Sequence, residues 1–315
     1  MLDDLLATLR VITLPTRTNF RGVTHREVAL MQGPQGWGEF SPFLEYDDNE
    51  CRPWLASAIE AATVARPVRY RDEIAINGTI PELNDKKEIE ELMRTYEGAK
   101  TFKVKVGRNL NEDLIRVARV FSNAPKASIR VDVNGLWSVD EALTNLYAYY
   151  EEIGPLEYVE QPCATVEELR ELKAKIKIPL RIAADEIIRK AADPFAVDLT
   201  GAADVLMLKV QPLGGIKRSL DIAAHHGLPV VVSSALESAI GIEYGLDLAA
   251  SAKELTFDCG LATGSLLAND VAEHKITDGK IALGQISPQL DGLDVSAERY
   301  EWWKNRIMRV GKLLT

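Results

Sequence analysis

From about residue 74 onward, short apolar runs alternate with amphipathic stretches. The runs are IAINGTI (74–80), TFKVKVG (101–107), SIRVDVNG (128–135), LEYVEQP (156–162), PLRIAAD (179–185), DVLMLKV (204–210) and PVVVSSA (229–235), with a weaker eighth near CGLATGSLL (259–267). Near-continuous apolar runs predict strands covered on both faces. In the stretches between them the period changes to that of a helix, as with Val139, Leu143, Leu146 and Tyr150. Ser138 with Glu141, and Thr165 with Glu168, form S/T-x-x-E capping boxes that predict helix starts. Eight strands alternating with helices predict an α/β chain closed into a parallel barrel. The competing topology, an open doubly wound sheet, usually carries a Gly-rich phosphate turn after its first strand. IAINGTIPELND contains no GxGxxG.

The two ends read differently. In residues 1–73, LRVITLP, HREVALMQG and GWGEFSPF predict short antiparallel strands, and RPWLASAIEAATVA predicts a helix with Pro53 near its first turn. In the tail, 269–315, HKITDGKIAL predicts a hairpin with Asp278-Gly279 at its turn. The expected organisation is an α+β capping domain from 1–73 plus 269–315, and a barrel from 74–268.

Five charged sites stand where these strands should end. Lys103 and Lys105 close TFKVKVG, Asp132, Glu160 and Asp185 close the next three runs, and Lys209 closes DVLMLKV. Charges at the exits of buried strands are costly unless paired or bound to something. The acids lie 28 and 25 residues apart and Lys209 follows 24 later, each interval fitting one βα unit. Barrels carry their catalytic groups at these C-terminal strand ends. One such acid alone is more often a solvated loop residue, but three at successive exits make a hard-oxygen site suited to Mg2+, with Mn2+ as a substitute. Lys103 and Lys105 share one strand face. They are either surface lysines snorkelling from a strand end or a base whose pKa a neighbouring cation lowers. Lys209 on the far side of the acids favours the base. Two lysines across a divalent cation suit proton abstraction beside a carboxylate, with the cation stabilising the enediolate. Asn134 either orients a ligand or starts the Asn-Gly turn.

Composition narrows the alternatives. A net charge of −10 and a pI near 5.1 argue against a nucleic-acid partner. Three cysteines without CxxC spacing give neither a disulfide framework nor a zinc motif, which points to a reducing cytoplasm. MLDDLLATLR lacks the pattern of a signal peptide, and no apolar stretch approaches a membrane span. HExxH, GxSxG and useful Cys/His pairs are missing from the sequence. The oligomeric state is left open, and a monomer is compatible with the sequence.

The ordered set KxK at Lys103/Lys105, DxN at Asp132/Asn134, EQP at 160–162, ADE at 184–186 and Lys209 resembles the enolase superfamily, in the subgroup related to muconate-lactonizing enzymes. The resemblance implies a modified TIM barrel, (β/α)7β, with an α+β cap, and a magnesium held by Asp132, Glu160 and Asp185. The short chain, the reduced cap and SSALESAIG (233–241) are most similar to the o-succinylbenzoate synthase family. That family dehydrates 2-succinyl-6-hydroxy-2,4-cyclohexadiene-1-carboxylate to o-succinylbenzoate in menaquinone biosynthesis, so a small-molecule carboxylate is the implied substrate. By the same likeness Lys105 removes the proton α to the ring carboxylate and then protonates the departing hydroxide. Lys209 lies against the other face, and Lys103 supports the carboxylate electrostatically. Ser233 and Ser234 are candidate contacts to the succinyl carboxylate, or only a polar strand end. Gly260 and Gly264 either admit substrate to the backbone or make turns. Arg21, in TRTNFRGVTHRE (16–27), could meet a carboxylate from a cap loop over the substrate. Gly214-Gly215 reads as a turn into a helix rather than a phosphate cradle. His225 and His226 would suggest the mandelate-racemase branch, but precede Gly227 at the barrel bottom and read as helix-end residues. The competing activity is N-succinylamino acid racemisation or dipeptide epimerisation by the same lysines. Dipeptide epimerases usually carry Asp-x-Asp at strand eight, where this chain has Asp258 alone. Muconate cycloisomerisation and a non-catalytic binding barrel are the remaining readings.

Overall fold

The computed structural model describes residues 2–20 and 22–314. Its first layer is a cap. A short helix α1 (Leu2–Leu6) leads into the antiparallel sheet β1 (Arg10–Phe20), β2 (Val23–Gly33) and β3 (Gly36–Phe40), and α2 (Asp48–Thr63) packs on that sheet. Alternation along the strands explains its position. Val11, Ala29 and Met31 face Trp54, Leu55 and the C-terminal helix in one core, whereas Ile12, Leu14, Val28 and Leu30 belong to the main core. The sheet is therefore sandwiched, with apolar residues needed on both faces. The helix expected from residue 52 begins at Asp48, because Asp47 accepts from the Glu50 backbone N–H and caps it; Pro53 lies inside.

Beyond the cap the chain alternates. β4 (Glu73–Ala75), β5 (Gly78–Ile80), α3 (Lys86–Arg94), β6 (Thr101–Lys105), α4 (Leu110–Asn123), β7 (Ser128–Asp132), α5 (Val139–Ile153), β8 (Tyr158–Glu160) and α6 (Val166–Lys175) come first. β9 (Ile182–Ala184), α7 (Glu186–Arg189), β10 (Val205–Lys209), α8 (Val210–Leu213), α9 (Ile216–His226), β11 (Val230–Ser233) and α10 (Ala239–Ser251) follow. The strands β5 to β11 form one parallel seven-stranded sheet in chain order. It curls shut through two residues of the eighth segment: Cys259 bridges Ile76 and Gly260 bridges Ser233. A Cβ on Gly260 would meet Ser233 Oγ at 2.4 Å, so a larger residue there would force the Ser233 side chain to shift. Both capping boxes form. α5 buries Val139, Ala142, Leu146 and Tyr149, a face turned slightly from the one expected.

The run 74–80 is not one strand. Its first part, β4, pairs with the hairpin β12 (Ile276–Thr277) and β13 (Lys280–Ala282) in a separate antiparallel sheet, and only β5 enters the barrel. Asp278 and Gly279 both take positive φ at the hairpin turn. Past the hairpin the chain rejoins the cap. Asp294 bridges Ile12, and α11 (Ala297–Gly311) packs on α2.

A buried polar seam joins cap to barrel. Glu39 accepts from Ser41 Oγ and Ser238 Oγ (both 2.5 Å), the Gly241 N–H (2.9 Å) and Gln211 Nε2 (3.3 Å). Arg26 donates to the carbonyls of Leu236 (3.1 Å) and Ser41, and stacks on Phe43. Asp270 accepts from the Ala239 N–H at the start of α10. No helix among the described residues is long and apolar enough to cross a membrane. All three cysteines are buried and free.

Candidate active site

Register brings the predicted charges together. Lys105 lies beside Asp132, and Asp132 beside Glu160, on neighbouring parallel strands. Lys209 is paired with Ser233 on the far side. In-register residues on adjacent strands project to the same face, so these groups converge at one rim. Asp185 sits one residue past β9, where the strand turns into α7. Its backbone N–H is held by Gln161 Oε1 (3.0 Å), which gives the glutamine of EQP a structural duty.

Each acid faces an ammonium. Lys103 Nζ donates to Glu160 Oε2 at 2.6 Å and stands 3.7 Å from Asp132. Lys209 Nζ donates to Asp185 Oδ2 at 2.6 Å, and Lys105 Nζ donates to Asp132 Oδ2. Lys103, Asp132, Glu160, Asp185 and Lys209 are all buried. Their titration follows from burial and these partners. Burial opposes charge on Asp132, but Lys105 and Lys103 outweigh it and hold the carboxyl at about 2. Asp185 is likewise held well below the usual range, because Lys209 and Arg189 outweigh burial. Glu160 goes the other way: burial and the neighbouring Asp132 push it up to about 7 despite Lys103. Lys105 is lowered, chiefly by burial, whereas Lys103 is raised because Glu160 and Asp132 outweigh burial.

The set fits a hard divalent cation. Three carboxylates on adjacent strand ends supply only oxygen donors. As the side chains stand, each acid is turned onto a lysine, and no three His, Cys, Asp or Glu side chains among the described residues form a metal-holding group. Glu160 is the exception that indicates a fit. Its Oε1 is buried with no hydrogen-bond partner among the described residues, and Lys209 Nζ stands 3.9 Å away. An orphaned buried carboxylate oxygen, on the one acid pushed toward neutrality, marks where positive charge is short.

The other candidates divide. Asn134, at positive φ, accepts from Lys105 Nζ (2.9 Å) through Oδ1 and donates through Nδ2 to Glu186 Oε1 (3.0 Å). Ser233 is buried and in register with Lys209. Ser234 Oγ is spent on the Gly260 carbonyl (2.6 Å) and Thr263 Oγ1 (2.9 Å), tying β11 to the closing segment. Arg21 lies outside the described residues. Gly214-Gly215 joins α8 to α9, whose first free N–H, on Ile216, is taken by Glu60 of the cap (2.6 Å). His225 and His226 end α9, and His226 bonds the Pro194 carbonyl (3.0 Å). A cavity of about 580 Å3 lined by Arg17, Arg94, Glu97 and His274 opens elsewhere and includes none of the strand-end lysines.

Sequence reasoning passed over Glu186 and Arg189. Arg130 lies two residues before Asp132 on the same strand face, but its guanidinium turns away from the rim, to Glu157 just before β8. It bonds Asn77 (3.0 Å) and the Asp258 carbonyl (2.7 Å), with its guanidinium 4.6 Å from the Tyr158 ring. Glu186 and Arg189 bond each other at 2.7 Å on a four-residue helix too short to show a period.

A closed parallel barrel with acids and lysines at its rim, beneath an antiparallel cap, defines an enolase-type protein, and the comparisons agree. A family described as "Enolase C-terminal domain-like" matches residues 86–296, and one described as "Enolase N-terminal domain-like" matches 11–62. Among solved structures, the muconate lactonizing enzyme from Pseudomonas fluorescens complexed with muconolactone aligns at TM-score 0.73 and 22% identity, over 93% of this chain and 97% of that one. The L-Ala-D/L-Glu epimerase from Bacillus subtilis aligns at TM-score 0.74 and 21% identity, over 91% and 98%. These two share the fold. Much nearer in sequence is the o-succinylbenzoate synthase of Mycobacterium ulcerans (strain Agy99), 50% identical over 99% of this chain and 96% of that protein. That of Mycolicibacterium smegmatis (strain ATCC 700084 / mc(2)155) is 48% identical over 97% and 96%. The chain belongs to the o-succinylbenzoate synthase family of the enolase superfamily, and is thereby an enzyme of the carbon–oxygen lyase class.

Proposed function

We propose that this chain dehydrates 2-succinyl-6-hydroxy-2,4-cyclohexadiene-1-carboxylate to o-succinylbenzoate, as a magnesium-dependent cytoplasmic enzyme of menaquinone biosynthesis. The observation that carries the reading is the placement of Lys105 and Lys209 on β6 and β10, with three strands and the acids between them. Asp132, Glu160 and Asp185 would hold the cation. Bound there, magnesium supplies positive charge where negative charge builds on the substrate carboxylate.

Lys105 is the base. Its lowered pKa makes the neutral amine accessible, and it takes the proton α to the ring carboxylate. The C–H electron pair moves into the carboxylate system, then returns to expel the ring hydroxyl. The protonated Lys105 gives its proton to that hydroxide, so one water leaves and the ring becomes aromatic. Lys103 stays charged beside Glu160 and Asp132. The Lys209 ammonium, buried against Asp185, stabilises the anion from the opposite face.

A second reading, racemisation of N-succinylamino acids or epimerisation of dipeptides, draws on the same opposed lysines. The geometry gives it less support. Asp258, the lone acid near strand eight, accepts from Thr101 Oγ1 (2.6 Å) at the start of β6, the opposite end of the barrel from the lysines. Purified protein with magnesium is expected to convert the cyclohexadiene carboxylate, with product followed chromatographically. Racemisation of N-succinylamino acids without any dehydration would move the assignment to the second reading.

A further inference from the structure

A series of six hydrogen bonds joins the two lysine-bearing sides of the rim. Lys105 Nζ donates to Asn134 Oδ1 (2.9 Å), and Asn134 Nδ2 donates to Glu186 Oε1 (3.0 Å). Arg189 Nη2 donates to that same oxygen (2.7 Å), and Arg189 Nε reaches both oxygens of Asp185 (3.2 and 3.3 Å). Lys209 Nζ closes the series on Asp185 Oδ2 (2.6 Å). Arg189 Nη1 also meets Tyr46 Oη of the cap at 3.3 Å, and Lys190 Nζ lies 5.2 Å from that ring. The Arg189 side chain is 6% exposed and that of Glu186 16%, so little water competes for these bonds.

We propose that Asn134, Glu186 and Arg189 form a positioning belt that fixes where the Lys105 amine points relative to Lys209 and couples that geometry to the seat of the cap. The proposal rests on Lys105 being the base. The structural logic is local. Lys105 ends β6 and has four rotatable bonds, so each contact to its amine narrows where it can point. Asn134 supplies such a contact beside Asp132, and its positive-φ backbone turns its amide toward both Lys105 and α7. Its nitrogen, in a half-buried place, is satisfied by Glu186. Arg189 in turn pairs the half-buried Glu186 charge. Asn134 therefore acts directly on the amine that takes the proton, while Glu186 and Arg189 act only through Asn134. Glu186 Oε2 is buried with no partner among the described residues, so the amide nitrogen of glutamine can take its place without breaking a bond.

The test is a set of variants read for kcat and KM separately, with cation uptake followed by calorimetry. Asn134→Ala and Glu186→Ala are each expected to lower kcat by about 10–100-fold, the cost of a misplaced catalytic group. KM and cation affinity stay within about 3-fold of wild type, because neither the Asn134 nor the Glu186 side chain bonds Asp132, Glu160 or Asp185 directly. Glu186→Gln, which keeps the Oε1 acceptor, restores most of kcat. The double variant Asn134→Ala/Glu186→Ala is no slower than either single one, since both break the same belt. Tyr46→Phe lowers kcat by only about 2–5-fold, as the loss of one long bond. Equal kcat in wild type and Asn134→Ala overturns the proposal while leaving the functional reading intact. So does a Glu186→Gln variant as impaired as Glu186→Ala. A wild-type chain that turns over neither the cyclohexadiene carboxylate nor N-succinylamino acids overturns the functional reading instead. The belt then stands or falls on crystal structures: Lys105 Nζ displaced in Asn134→Ala supports it, and Lys105 Nζ unmoved refutes it.

Discussion

Two groups of three acids in this chain, one at the barrel rim and one at the seam, are handled in opposite ways. At the barrel rim, Asp132, Glu160 and Asp185 each face a lysine ammonium. At the seam between cap and α10, Glu39 and Asp270 are held by hydroxyls, an amide and backbone N–H groups, and Glu237 accepts from the Ala235 N–H. Burial outweighs these neutral donors and, at Glu39 and Glu237, the Arg26 charge as well, so Glu237 and Asp270 are pushed up to about 7 and Glu39 is raised. Ammonium partners outweigh burial at Asp132, which is held at about 2. Asp132 and Asp185 stay charged and able to serve a cation; the seam acids give up charge readily and act as a joint. Glu160, raised like a seam acid yet placed at the rim, is where the two regimes meet.

The comparison breaks most visibly at the lysines. Lys105→Ala removes the base and is expected to lower turnover by roughly 10^3–10^4-fold, with the fold intact by circular dichroism. Activity within about tenfold of wild type would remove Lys105 from the chemistry.

The seam gives a smaller effect, on stability rather than on chemistry. Glu39→Ala leaves Ser41, Ser238 and the Gly241 N–H without their acceptor, at a cost of about 3 kcal/mol in denaturant unfolding. Glu39→Gln keeps an acceptor oxygen and costs about 1 kcal/mol. Equal losses in the two variants would show that packing, not hydrogen bonding, holds the seam.

The pH dependence sharpens the contrast further. Glu237 rises from an ordinary value of 4.5 to about 7 through burial and the nearby Glu39. The folded chain therefore holds this proton more tightly than the unfolded one. Its contribution is whole below about pH 4.5 and is lost as pH rises through 7, a change on the order of 3 kcal/mol. Asp132 has the opposite sign: its contribution is present above 3.8 and lost as pH falls toward about 2. Glu237→Gln is expected to flatten the decline in unfolding free energy between about pH 4.5 and 7. Parallel profiles for variant and wild type would contradict the assignment.

How much of this was legible depended on whether the signal was local. The rim could be read because each charge closes a short apolar strand, and parallel register then gathers strand ends without further information. The capping boxes of α5 and α6 are local as well, and both formed. The seam was not legible: Glu39 meets Ser238 and Gly241 across about 200 residues, and nothing in GWGEFSPF names them. The split of 74–80 was hidden for the same reason, since β4 leaves the barrel to pair with β13 from the far end of the chain. Strand eight shrinks to two bridging residues, too few for any periodicity. Arg189 reaches Asp185 by an i,i+4 contact that ADEIIRK could have suggested, had α7 been recognised as a helical turn.

Calorimetric titration of Mg2+ into the purified chain and into Asp132→Asn, Glu160→Gln and Asp185→Asn most directly tests whether the rim acids share one cation. Uptake of about one ion per wild-type chain, with the affinity lost in each of the three substitutions, is the expected result. No uptake by the wild type, or uptake that survives all three, would refute it.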